Sequence, residues 1–208
     1  VTQMIVMARD VGVVAGEVPI LTGIDLAAGP GEVVAVVGVN GAGKSTLLRC
    51  LAGLQPPASG EVGVFGRPPA DTAAFWRDVA VVADEPAWYP GLTVREHLEL
   101  MRAVHHDTRL TVEAALEEFD LVERADLAPQ TLSTGQRQRL VLAMALLRPS
   151  RLLLLDEPER GLDTAFRDRL ATMLTRYAAA GGTVVMATHD LGLARAAGAR
   201  RVSLEAAA

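Results

Sequence analysis

Gly38-Val39-Asn40-Gly41-Ala42-Gly43-Lys44-Ser45 is the stretch on which the fold turns. It fits the pattern G-x-x-x-x-G-K-[ST], with a β-branched run before it and a helical pattern after it. Its glycines allow successive backbone N–H groups to turn inward around an anion. A helix starting near Lys44 adds the positive end of its dipole. Lys44 offers a full charge to β- and γ-phosphates, and the Ser45 hydroxyl can ligate Mg²⁺. The expected nucleotide-binding set is Gly38, Val39, Asn40, Gly41, Ala42, Gly43, Lys44, Ser45 and Thr46. The bland alternative is a glycine-rich turn that only joins strand to helix. Of 20 basic residues Lys44 is the sole lysine, and its place inside this turn weighs against that alternative.

Working outward, Glu32–Val37 reads as a buried strand between Gly29-Pro30-Gly31 and Gly38, and Lys44–Leu54 as the helix that follows. Upstream, Gln3–Ala8 and Pro19–Ala28 read as strands joined as a hairpin through Gly12–Glu17. Glu61–Phe65 and Val79–Ala83 are short strands. Thr93–Val104, Thr111–Phe119, Leu121–Leu127 and Gly135–Arg148 read as helices, with Thr93 and Thr111 as N-caps. Leu152–Leu155, Thr183–Ala187 and Arg201–Leu204 read as strands, alternating with helices over Thr164–Ala180 and Leu191–Ala197. This order predicts an α/β fold with a mainly parallel central sheet, an N-terminal antiparallel β piece and an inserted helical subdomain near residues 86–148. One domain over residues 1–208 is expected.

Composition narrows the function classes. Half of the 208 residues are hydrophobic, so a sizeable core can form. The formal charge of −5 removes the global electrostatic argument for nucleic-acid binding. A single cysteine, Cys50, cannot form an intramolecular disulfide, and it reads as a small buried hydrophobe. The longest apolar run, the eight residues Leu140–Leu147, is far short of the roughly 20 that a membrane-spanning helix needs. The N-terminus has no basic region or cleavage site of a secretory signal. His105-His106 reads as a solvated helix end, because adjacent helical residues do not face each other.

Leu152-Leu153-Leu154-Leu155-Asp156-Glu157 is an apolar strand ending in two carboxylates, 112 residues past Lys44 at Asp156. Alone it would read as a solvated acidic turn. Beside a phosphate loop, Asp156 is the expected Mg²⁺-holding carboxylate, and Glu157 the general base that polarises an attacking water.

Three further motifs carry a resemblance. Leu132-Ser133-Thr134-Gly135-Gln136, Gly161-Leu162-Asp163 and Thr188-His189-Asp190 follow in order with suitable spacing. Together with the loop and the acidic strand they resemble the ABC (ATP-binding cassette) ATPases along essentially the whole chain. The resemblance implies a P-loop NTPase fold and ATP hydrolysis with Mg²⁺. It implies that Ser133, Thr134, Gly135 and Gln136 reach the ATP of a second cassette, arranged head to tail as homo- or heterodimer. It implies that His189 contacts the γ-phosphate while Glu157 acts as base, and that Asp163 sits at the dimer seam. A separate integral membrane permease is the implied partner, with this chain peripheral on the cytosolic face of the membrane, and without nucleic acid. Pro90-Gly91-Leu92-Thr93-Val94-Arg95-Glu96-His97-Leu98 looks more like the ATPases of bacterial exporters than of importers.

Departures from the family pattern set further expectations. Asp84 stands where the family has a metal-contacting glutamine, and is carried over as a metal residue beside Ser45 and Asp156. Ala15 stands where an aromatic stacks on adenine, which predicts weaker selectivity for ATP. Thr134 replaces a glycine, and Glu159 a common threonine. These changes suggest slow turnover or an asymmetric partner. Trp88 and Tyr89 are read either as anchors for a membrane subunit or as packing against the helical subdomain. The alternative function is a degenerate nucleotide-binding cassette with little hydrolysis, the structural half of a heterodimer. A soluble ABC ATPase of translation or repair is disfavoured, since the 88 residues from Lys44 to Leu132 leave no room for a long coiled coil.

Overall fold

Successive residues of a strand face opposite sides of its sheet, and the apolar strands of this chain use both sides. A computed structural model describes residues 4–83 and 88–205. In it β3 (Val33–Val37), β5 (Val79–Val82), β6 (Leu152–Asp156), β7 (Thr183–Ala187) and β8 (Arg200–Ser203) form a wholly parallel sheet in the order β5-β6-β7-β3-β8. Val33, Ala35, Leu153, Leu155, Val184 and Met186 face one core, which includes Leu140 and Leu147 of α5 (Thr134–Leu147) and Phe166 and Leu170 of α6 (Thr164–Ala179). Val34, Val36, Leu152, Leu154 and Val185 face the other core, which is filled by Leu47, Leu48 and Leu51 of α1 (Lys44–Leu51). Burial on both faces explains why these strands read as continuous apolar runs.

The second core is closed by an antiparallel sheet, β2-β1-β4, of β1 (Val6–Ala15), β2 (Val18–Ala28) and β4 (Ser59–Val64). The α/β class, the parallel sheet and the antiparallel N-terminal piece all agree with expectation. The hairpin differs from its predicted form. Register shifts within β1 let pairing run on to Ala15↔Val18, so the turn is only Gly16-Glu17, with Gly16 at φ 63°. Residues 12–15 were predicted as turn and are strand.

Among the described residues three short α-helices lie between β4 and α5. They are α2 (Ala73–Asp78), α3 (Val94–Val104) and α4 (Val112–Glu118). α2 was not foreseen, though Thr72 accepts from the Phe75 N–H at 3.2 Å as an N-cap. The expected helix over Leu121–Leu127 is instead a single 3₁₀ turn, Val122–Arg124. The carbonyls of Ala125 and Leu127 there accept from Arg95 and Val94, the open N–H groups of α3. A tertiary demand thus captures the groups that a helix would have used. The chain closes with α7 (Leu191–Ala196) before β8. Among the described residues no helix is long and apolar enough to cross a membrane. Cys50 is buried, as expected, and burial pushes its thiol pKa up.

Candidate functional site

Gly38–Gly43 leaves the C-terminal end of β3 and enters α1 without a side-chain cap. Gly43 takes φ 85°, and a Cβ there would stand 2.4 Å from Leu21 Cδ2 and 2.9 Å from the Ile20 carbonyl. Only glycine suits both the conformation and the close approach of β2. The first N–H groups of α1 thus stay open to an acceptor. Lys44 is 6% exposed, and its Nζ donates to the carbonyls of Gly38 at 2.8 Å and Val39 at 3.0 Å. Ile20, Asn40, Gly41, Gly43, Lys44, Ser45, Thr46 and Glu157 line one cavity of about 270 Å³. No aromatic ring is among these described lining residues. Ala15 is exposed at the end of β1.

Glu157 reaches that cavity through an unusual backbone. It follows the last residue of β6, takes φ 45°, and its N–H donates to the Ala187 carbonyl at 2.8 Å. That turn brings the carboxylate to the phosphate loop. Asp156, one residue earlier, shares a smaller cavity of about 80 Å³ with Glu157, Thr134, Arg137, Gln138 and Arg160. Arg160 donates to Glu157 Oε2 at 3.2 Å, a contact that no sequence motif announced. His189 Nδ1 lies 3.8 Å from Glu157 Oε1. Asp84 lies outside the described residues.

The hard oxygens of Ser45 and Asp156 are of the kind that Mg²⁺ takes. The uncapped helix start, the buried lysine and the cavity volume fit a phosphate chain. The residues present therefore fit both groups.

Ser133 and Gln136 form a capping box at the start of α5. Ser133 Oγ accepts from the Gln136 N–H at 3.2 Å, and Gln136 Oε1 accepts from the Ser133 N–H at 2.9 Å. None of residues 133–136 lines the loop cavity of the same chain. Gly135 packs directly on the loop after β6: a Cβ at Gly135 would stand 2.3 Å from the Gly161 carbonyl. Asp163 caps α6 by accepting from the Phe166 N–H at 2.8 Å. That hydrogen bond, then the nearby Arg139, holds its carboxyl below the usual range. Asp190 caps α7 in the same way, and the Leu193 N–H, the Gly192 N–H and Arg167 lower its pKa.

The loop before α3 is fastened by a residue the sequence did not single out. His97 is 1% exposed, its Nδ1 donates to the Thr93 carbonyl at 2.7 Å, and its Nε2 accepts from the Tyr89 N–H at 3.1 Å. Trp88 packs on the core with its ring edge-on to His97, whereas Tyr89 is 55% exposed. The packing reading thus holds for Trp88, and Tyr89 is exposed.

Comparison with known proteins meets this geometry. The family model described as ABC transporter matches residues 21–160. The SkfA peptide export ATP-binding protein SkfE of Bacillus subtilis is 39% identical over 165 residues, covering 77% of this chain and 69% of that protein. The sn-glycerol-3-phosphate import ATP-binding protein UgpC of Bordetella avium is 35% identical over 181 residues, covering 85% of this chain and half of that longer protein. A solved structure described as the ATP-binding subunit of an ABC transporter superposes with a TM-score of 0.85 at 28% identity, covering 97% of this chain and 86% of the other. With its parallel sheet, its uncapped phosphate loop and these relatives, the chain belongs to the ABC transporter family, as an ATP-binding subunit of the kind whose characteristic activity is ATP hydrolysis.

Proposed function

We propose that the whole chain is one ABC ATPase domain, with its helical subdomain near residues 86–148, that binds ATP and Mg²⁺ at the phosphate loop and hydrolyses ATP when a second cassette closes on it head to tail. Gly38–Thr46 bind the nucleotide. Ser45 and Asp156 hold the metal, with Asp84 as a further candidate; when bound, Mg²⁺ neutralises charge on the β- and γ-phosphates. Ser133–Gln136 engage the ATP of the partner cassette, and Asp163 stands at the seam.

In the reaction Glu157 accepts a proton from water as the water oxygen attacks the γ-phosphorus. The bond to the β–γ bridging oxygen breaks, and its electrons stay with ADP. Lys44 stabilises the charge that develops there, and His189 orients the γ-phosphate. The observation that carries this reading is that Glu157, at the end of β6, lines the same cavity as Lys44 and Ser45.

The same reading couples the dimer to an integral membrane permease on the cytosolic face, with the chain bound peripherally. Export is the proposed direction, supported by the Pro90–Leu98 pattern and by the export name of one relative. The degenerate-half alternative draws on the absence of an aromatic ring from the described cavity lining.

Steady-state ATP hydrolysis across protein concentration, with Glu157→Gln as control, separates the two. Turnover that rises faster than linearly and vanishes in the control supports a self-sufficient homodimeric ATPase. Turnover no greater than the control in the isolated chain, and still absent with permease and partner cassette present, supports the structural half.

A further inference from the structure

Glu159 is a carboxylate where burial needs a reason. It is 3% exposed, and its Oε1 accepts from the Thr188 hydroxyl at 2.5 Å. Its Oε2 is enclosed and has no hydrogen-bond partner. A half-satisfied buried carboxylate lowers stability relative to an apolar residue of the same size, so packing does not account for it.

The carboxylate sits beneath His189, whose Nδ1 is 3.4 Å from Glu159 Oε1 and 3.8 Å from Glu157 Oε1. The backbone on both sides of His189 is already fixed. The Thr188 N–H donates to the Val36 carbonyl at 3.1 Å, and the Asp190 N–H donates to Thr188 Oγ1 at 2.9 Å. Asp190 is gripped in turn by Arg167 at 3.1 Å. The ring itself remains 61% exposed. Nothing in the backbone chooses between a ring leaning on Glu157 and one leaning on Glu159. The distances favour Glu159, and that leaves the Glu157 carboxylate to take a proton from water.

We propose that Glu159 is a positioning residue: its buried carboxylate, steadied by Thr188, holds the Nδ1–H edge of His189 and turns Nε2 toward the attacking water beside the γ-phosphate of bound ATP, from which Nε2 accepts a hydrogen bond. This rests on the hydrolytic reading above and deepens it. A neutral apolar side chain at 159 leaves the ring free to rotate or to settle on Glu157, and both remove a near-attack geometry.

The first test needs no turnover. Long-range ¹H–¹⁵N spectra of the full chain read the imidazole nitrogens of His189 beside those of His97, His105 and His106. The expected result is hydrogen on His189 Nδ1, and a change in the His189 signals alone in Glu159→Met. The second test is kinetic. Glu159→Met lowers kcat about tenfold with KM for ATP within about twofold, and Glu159→Gln, which keeps an acceptor, returns kcat to within about threefold of the parent. If Glu159→Met does not fold, the ring signals of Glu159→Gln carry the first test, since an amide replaces the carboxylate beside Nδ1. Unmoved His189 signals, equal loss in Met and Gln variants, or loss seen in KM instead of kcat would overturn the proposal. A parent chain that never hydrolyses ATP overturns the hydrolytic reading instead, and the ring spectra tell the two failures apart.

Discussion

Arg139 Nη2 donates to Asp163 Oδ2 at 2.8 Å, joining the signature helix α5 to the cap of α6 just after the acidic strand. The same guanidinium reaches Asp120 Oδ2 at 3.2 Å and lies 4.2 Å from the centre of the Phe166 ring. Gln138 adds a second tie by donating to the Pro158 carbonyl at 3.1 Å. The start of α5 and the loop that carries Glu157 and Glu159 are therefore tied to each other at several points.

Arg139→Met tests that link. Asp163 is largely exposed, so the ion pair itself adds little to stability. The unfolding midpoint should shift by only a few degrees, while ATP turnover falls roughly 2- to 30-fold through lost coupling. Thermal unfolding and steady-state hydrolysis on the same preparation check this. An equal turnover in variant and parent would show that the network does not carry coupling.

Gly135→Ala puts a methyl group where the Gly161 carbonyl already stands. Backbone cannot yield as a flexible side chain can, so α5 must shift away from the loop. A loss of about 1–3 kcal/mol is expected in denaturant unfolding.

His97→Leu keeps apolar volume but removes both hydrogen bonds that fasten the loop before α3. The Tyr89 N–H loses its acceptor, at about 1 kcal/mol, whereas the Thr93 carbonyl keeps the His97 backbone N–H at 3.0 Å. Hydrogen exchange at the Tyr89 amide should rise well above that of the α1 amides. Unchanged protection there would mean that the core contact of Trp88 holds the loop alone.

Acid weakens the two helix caps in a defined sense. The carboxyls of Asp190 and Asp163 have folded pKa values below their ordinary ones. Their stabilisation is therefore complete above the unfolded value, about 4, and is lost as pH falls through the lower folded values. Asp190→Asn keeps a capping oxygen but no charge. Its stability deficit against the parent should be largest near about pH 6 and shrink toward about pH 3. Denaturant unfolding at the two pH values measures the difference, and a deficit that grows in acid would contradict this cap assignment.

Much of this protein was legible before any coordinate. The spacing from Gly38 to Ser45, the apolar run ending at Asp156 and the β-branched strands Glu32–Val37 and Thr183–Ala187 report local geometry, because turn chemistry and strand period are written in neighbouring residues. They led to the α/β class, to the parallel sheet and to the list of residues proposed above to face a phosphate chain. Other features depend on residues far apart in the chain. Glu159 and Thr188 meet because β6 and β7 are adjacent in the parallel sheet. Leu121–Leu127 gives up its helix because α3 needs acceptors for its first N–H groups. Gly135 and Gly161 touch because α5 docks its N-terminus on the loop after β6. Local periodicity is a property of the chain, whereas these meetings depend on how crossovers order the strands and where each helix docks, and only packing of the whole core decides that.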